Sequence, residues 1–259
     1  MLPPANARAG EPRVLLQLAG VEQLFDGKIR ILGPLDLDVR EGEFLSLVGP
    51  SGCGKSTLLR IAAGVLRPTR GVVRLGAEPL TGVNRHAAMV FQSFGLFPWL
   101  TVVDNVALGL EARGVGVHER LKRAEKHIRL VGLSGYERAY PRELSRGMKQ
   151  LVGLARALAL EPELLCMDEP FSALDVLSAR NMRQLVLDLW ASPEVTTRTI
   201  LLVTHSIEEA VAVSDRVVVL KANPGRIAET VELDGLPRPR RGDSPAVRET
   251  VDRMYGLLA

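Results

Sequence analysis
Near the start of the chain, two stretches alternate apolar and polar residues. Val14, Leu16 and Leu18 take alternate places within residues 13–25, and residues 35–39 (LDLDV) repeat the pattern. Both predict half-buried strands. Residues 44–48 (FLSLV) form a short apolar run, the mark of a strand buried on both faces. A glycine-rich segment follows, then a helix over about 55–66 and a strand near 86–91. The period changes near residue 101. Thr101 with Asp104 reads as a helix start of the capping-box kind, with Asp in place of Glu, and Val102, Val103, Val106 and Leu110 follow at helical spacing. Val117, Leu121, Ala124, Ile128 and Val131 mark one face of a second helix, and a third runs over about 145–160. Strand character returns at 163–167, 199–203 and 215–220, with helices between. A strand near 226–233 and a helix near 245–257 finish the chain. Apolar strands alternating with helices predict a parallel α/β core, here with a helical subdomain inserted between two buried strands.

Composition narrows the class. The chain has 259 residues, 46% apolar and 24% charged, which is an ordinary globular balance. Mean hydropathy is +0.11. Even so, no apolar run reaches the roughly 18 residues that a spanning helix needs. The net charge of +3 comes from 33 basic and 30 acidic residues spread along the chain, so nucleic acid is not an expected partner. Arg238, Arg240 and Arg241 form the one local basic cluster, read as a solvated surface segment. Two cysteines, Cys53 and Cys166, make no disulfide framework and fit a reducing compartment. The first residues lack an apolar signal core. Residues 1–12 read as a frayed, Pro-rich tail.

Residues 49–57 read GPSGCGKST, that is G-x-x-x-x-G-K-[ST] between a strand and a helix. Gly49, Gly52 and Gly54 let the backbone curl, so that N–H groups of the loop (Pro50, Ser51 and Cys53 complete it) face phosphates. The helix N-terminus adds about half a positive charge. Lys55 reaches the β- and γ-phosphates, Ser56 offers a hydroxyl to Mg²⁺, and Thr57 follows. Residues 164–169 (LLCMDE) end an apolar strand in two acids. Asp168 suits the Mg²⁺ shell, and Glu169 suits a general base acting on water. Cys53 reads as a tolerated small residue and Cys166 as strand packing.

Residues 143–150 (ELSRGMKQ) add a signature. Here the chain resembles the nucleotide-binding subunit of an ABC transporter over about residues 13–235. Leu144, Ser145, Arg146, Gly147 and Met148 match the signature. Gln92 matches the Q-loop, Ser172–Asp175 the D-loop, His205 the switch histidine and Phe25 the aromatic that stacks on adenine. The loop wording of residues 94–110, 141–150, 168–175 and 204–227 is similar to importers of nitrate, sulfonate, taurine and related small oxyanions. His86, His118 and His127 match no motif and read as surface.

The resemblance implies an α/β P-loop NTPase core with a parallel sheet, an N-terminal antiparallel β subdomain and an inserted α-helical subdomain at about 95–160. The ATPase domain would span 13–235, followed by an extension with a helix over 236–259. The implied cofactors are ATP and Mg²⁺, with Ser56, Gln92 and Asp168 toward the metal. Glu169, His205 and Lys55 would act in hydrolysis, and Ser145, Gly147 and Asp175 would touch nucleotide. The implied partners are two permease subunits, a second copy of the chain in an ATP sandwich and, indirectly, a solute-binding protein, at the cytoplasmic membrane face. The apolar loop Gln92–Leu100 fits a docking groove for the permease, or else Phe97 and Trp99 are core.

Arg146 and Leu151 depart from the family pattern, and Arg146 leaves open a catalytically impaired ATP-binding subunit. A non-transport ABC ATPase is the other alternative. Its DNA-repair form needs a coiled-coil or zinc insert, and its translation form two such domains; neither is present. A guanine-binding N-K-x-D string is also absent.

Overall fold
The computed structural model describes residues 13–236, 238, 240, 242 and 244–258. The expected tail at 1–12 and Arg241 lie outside the described residues. In chain order the elements are β1 (Val14–Phe25), β2 (Ile29–Arg40), β3 (Phe44–Val48), α1 (Lys55–Ala62), β4 (Arg70–Leu75), β5 (Glu78–Pro79) and β6 (Ala87–Val90). Then follow α2 (Val102–Ala112), α3 (Val117–Leu130), α4 (Arg146–Leu158), β7 (Leu164–Asp168), α5 (Val176–Ala191), β8 (Thr199–Val203), α6 (Ile207–Val213), β9 (Arg216–Lys221), β10 (Arg226–Glu232) and α7 (Pro245–Leu258). Two compact units result: residues up to Arg85 together with Arg198 onward, and His86–Thr197.

In the first unit, β1 and β2 form an antiparallel hairpin joined by Asp26–Gly27, both at positive φ (49° and 67°). This is the dipeptide that a tight turn matching the strand twist prefers. β4 pairs antiparallel with β1, and β5 with β4. A second group places β3 between β8 and β9, parallel to both, with β10 antiparallel on β9. Every residue of β3 and β8 is buried, which is why these strands read as unbroken apolar runs rather than alternating ones. α7 seats Val247 and Met254 against Ile207, Ala210 and Val211 of α6.

Arg238 and Arg240 are not a solvated segment. The Arg240 guanidinium donates to the carbonyls of Val211 (3.1 Å), Leu233 (2.9 Å), Leu236 (2.8 Å) and Ser214, while Arg238 pairs with Asp215 at 2.9 Å and donates to the Val213 carbonyl at 2.6 Å. Burial and the neighbouring Arg238 lower the Arg240 pKa to about 10. A basic cluster in sequence has thus become a cap on the C-terminal carbonyls of α6, groups that have no partner inside the helix.

In the second unit, β6 and β7 pair in parallel, and the helices α2, α3 and α4 pack on one another. Thr101 caps α2 by accepting from the Asp104 N–H at 3.3 Å, as the sequence predicts. Ala124, Ile128 and Val131 are buried, but Val117, at the first turn of α3, is exposed. The expected helical face is therefore only partly used. His86 and His118 lie at the surface, whereas His127 is 2% exposed, with Nδ1 2.8 Å from the Arg123 carbonyl. It occupies the buried stripe between Ala124 and Ile128, and burial lowers its pKa. The unfolded chain therefore takes up a proton below about pH 6.5 that the folded chain resists, and stability is lost as pH falls from there toward the folded pKa. The melting temperature of the wild type should drop more between pH 7.5 and 5.5 than that of His127→Gln; equal drops would contradict this.

Candidate functional site
β3 delivers the chain into the glycine-rich loop at the head of α1. A Cβ at Gly49 would lie 2.5 Å from the Leu220 carbonyl oxygen of β9 and 2.9 Å from Cys53 Sγ, so only glycine fits. Gly54 holds the helix entry at φ 92°, a left-handed conformation open to glycine. No acid sits in the first turn of α1, which leaves its N–H groups electropositive. Lys55 is 6% exposed, and its Nζ donates to the carbonyls of Gly49 (2.7 Å) and Pro50 (3.0 Å). The ammonium is thereby held over the loop by neutral acceptors, in place to make a charge-assisted bond to an anion. Ser51 and Gly52 are exposed, and Ser56 and Thr57 half-buried.

Cys53 packs inside the loop, 3.9 Å from Lys55 Nζ; burial pushes its thiol up, partly offset by the ammonium. Cys166, in β7, is pushed up to about 12 by burial, an inert packing thiol as expected. Phe25, at the end of β1, is 57% exposed and so is not a core residue. His205 follows β8 and is exposed.

The second unit carries the acids and the signature. Asp168 is buried at the end of β7, and Glu169 follows at φ 45°, a turn conformation unusual for a residue with a side chain. Gln92, after β6, donates through Nε2 to Glu169 Oε2 (3.2 Å) and to Ser172 Oγ (3.3 Å); Ser172 Oγ in turn donates to the Glu169 carbonyl (2.9 Å). Three residues predicted from separate motifs thus meet in one hydrogen-bonded group.

Ser145 caps α4, accepting from the Met148 N–H at 3.2 Å, and Gly147 is the second residue of the helix. Arg146 is exposed at the first position of the helix. Asp175 caps α5, accepting from the N–H groups of Leu177 (3.1 Å) and Ser178 (3.0 Å), and the Ser178 bonds hold its carboxyl below the usual range.

The loop after Gln92 is shaped by residues the motifs did not flag. Asn105 of α2 donates through Nδ2 to the carbonyls of Phe97, Leu100 and Thr101 and accepts from the Phe97 N–H at 2.8 Å. Arg156 of α4 donates to the carbonyls of Phe94 (3.1 Å) and Gly95 (2.5 Å), at positive φ both. Their only sequence signal was a polar residue on an otherwise apolar helix face. The loop projects Trp99, 69% exposed, in an edge-on pair with the half-exposed Phe97, ring centroids 5.4 Å apart. The core reading of these two aromatics is thus set aside.

The profile of the ABC transporter family matches residues 32–172. An uncharacterized ABC transporter ATP-binding protein of Methanocaldococcus jannaschii is 46% identical over 249 residues, covering 95% of this chain and 92% of its own. The chain belongs to the ABC transporter family. Among its relatives are the nitrate import ATP-binding protein NrtD of Synechocystis, 42% identical over 85% of this chain and 84% of its own, and the taurine import ATP-binding protein TauB of Pseudomonas aeruginosa, 45% identical over 83% and 80%. Among solved structures, the dimeric ATP-binding cassette MJ0796 in a post-hydrolysis state bound to ADP and Pi is 32% identical, with a TM-score of 0.73 over 84% of this chain and 98% of that one. This ABC transporter chain therefore has the ABC ATPase fold. Among its described residues no helix is long and apolar enough to cross a membrane, and no group of three or more His, Cys, Asp or Glu side chains forms a metal cluster.

Proposed function
We propose that this chain is the ATP-hydrolysing subunit of an importer for a small oxyanion such as nitrate, a sulfonate or taurine. The observation that carries the reading is the phosphate loop: a buried ammonium and an acid-free helix N-terminus at the end of a buried parallel strand. The nitrate- and taurine-import relatives support the substrate class.

Lys55 and the loop amides bind the phosphates of ATP, and Phe25 offers an exposed face to the adenine. Mg²⁺ binds through one or two protein oxygens plus phosphate oxygens and water, so it needs no carboxylate cage. The Ser56 hydroxyl, the Gln92 amide oxygen and the Asp168 carboxylate are donors of the right hardness for it. When bound, Mg²⁺ supplies charge neutralisation on the phosphates. Glu169, steadied by Gln92 and Ser172, takes the proton of the attacking water, while His205 and Lys55 face charge developing on the γ-phosphate. Two copies close head to tail, each presenting Ser145, Gly147 and Asp175 to the nucleotide of the other.

Arg146 is a spectator here. Its side chain is in solvent on a helix turn where the dipole disfavours a cation by about 0.3–1 kcal/mol. Arg146→Gly should change steady-state turnover of the reconstituted complex less than about threefold, or ~0.7 kcal/mol. A gain above tenfold would mean that the side chain blocks the facing nucleotide. A comparable loss with weaker ATP-driven dimerisation would mean that it binds phosphate.

The permease docks on the Phe94–Leu100 loop, whose exposed aromatics form an apolar projection. Trp99→Ala should leave the melting temperature little changed and reduce permease recovery in a pull-down. Unfolding that accounts for the pull-down loss would overturn the assignment.

A further inference from the structure
From the contacts at both ends of α6, we infer that the C-terminal extension, Leu236–Leu258, is a strap that positions His205 for hydrolysis. The inference rests on the ATP-hydrolysis reading above and concerns residues beyond the nucleotide motifs. α6 begins two residues after His205, so whatever fixes the helix fixes the histidine's backbone.

At the N-terminal end, the side chains flanking His205 are tied into the first turn. Thr204 Oγ1 donates to Glu209 Oε2 at 2.8 Å and accepts from the Ser206 N–H at 3.1 Å, and Ser206 Oγ donates to Glu208 Oε2 at 3.0 Å. The other Glu208 oxygen accepts from the Tyr255 hydroxyl of α7 at 2.8 Å. A continuous line of hydrogen bonds thus runs from α7 to the residue next to His205. At the other end, Arg240 and Arg238 bond the closing carbonyls Val211, Val213 and Ser214. Between the two ends, Met254 and Val247 seat on Ile207, Ala210 and Val211.

A seven-residue helix is too short to hold itself in water. Ser206 caps its N-terminus, and Val48, Val217 and Val219 of the sheet share its apolar cluster; the extension adds the C-terminal cap, a second apolar face and an anchor on the first turn. A group that must meet charge only in the transition state gains from such fixed support. Tyr255, Glu208 and Arg240 are accordingly positioning residues. Because none of the three belongs to the phosphate loop or the other residues assigned to nucleotide, their loss should lower the rate of turnover and spare nucleotide binding.

The test uses the chain assembled with its permease. Tyr255→Phe should lower kcat two- to threefold and Arg240→Ala at least fivefold, with KM for MgATP within twofold of wild type in both. Tyr255→Phe keeps the apolar seat, so its melting temperature should match wild type and guard against trivial unfolding. In a His205→Ala background, Tyr255→Phe should add no further loss. Amide hydrogen exchange over residues 204–210 should be at least tenfold faster in Arg240→Ala. Unchanged exchange, kcat and KM falling together, or additive losses with His205→Ala would overturn the strap. A wild-type complex without turnover would instead overturn the ATPase reading, and the exchange rates would still decide whether the strap holds the His205 loop.

Discussion

Glu169→Gln should slow ATP hydrolysis about 10²–10⁴-fold, the usual contribution of a positioned general base, while leaving ATP binding intact. The carboxylate stands at a left-handed turn directly after buried Asp168, with Gln92 Nε2 on one oxygen at 3.2 Å and Ser172 Oγ on its backbone carbonyl at 2.9 Å. Glutamine fills nearly the same volume but cannot accept a proton. The chemical step should therefore stall after ATP has closed the two copies, and ATP-bound dimer should accumulate on size exclusion. Near wild-type turnover in the assembled transporter would remove Glu169 from this role.

Lys55→Ala should weaken MgATP binding sharply and abolish turnover. The ammonium is buried and donates to the uncharged carbonyls of Gly49 and Pro50, with Cys53 Sγ at 3.9 Å, so its bonds in this loop are to neutral acceptors. Alanine would leave polyphosphate facing loop amides alone, without a charge-assisted bond. The fold should survive, because among the described residues the lysine bonds only neutral groups of its own loop. Titration calorimetry with MgATP reads the loss directly. Unchanged affinity together with unchanged turnover would refute it.

What the sequence could express was whatever depends on neighbours along the chain. The glycine loop, Thr101 as a cap, and the buried strands β3 and β8 are local patterns, and each stands where its residues predict. The Asp26–Gly27 turn was equally local, and its dipeptide was a readable signal that the strand pattern alone passed over. Long-range partners were not readable. His127 looked like any surface histidine of a polar helix, because only packing of α3 decides which side is buried. Arg240 looked like a charge in a Pro-rich segment, because its partners Val211 and Ser214 lie 29 and 26 residues away. The meeting of Gln92 with Glu169 and Ser172 spans 77 and 80 residues. There the motifs named the members, but only the fold brought them into one hydrogen-bonded group. Asn105 and Arg156 were missed for the same reason: a polar side chain on an apolar helix face has no partner until the loop it holds is in place.

The central claim is that this ABC transporter chain hydrolyses ATP through its own phosphate loop. Steady-state release of inorganic phosphate from MgATP by the chain in complex with its permease, compared with the Lys55→Ala complex, tests it most directly. The wild type should show saturable release, and Lys55→Ala none above background. No release by the wild type, or equal release by both, would contradict it.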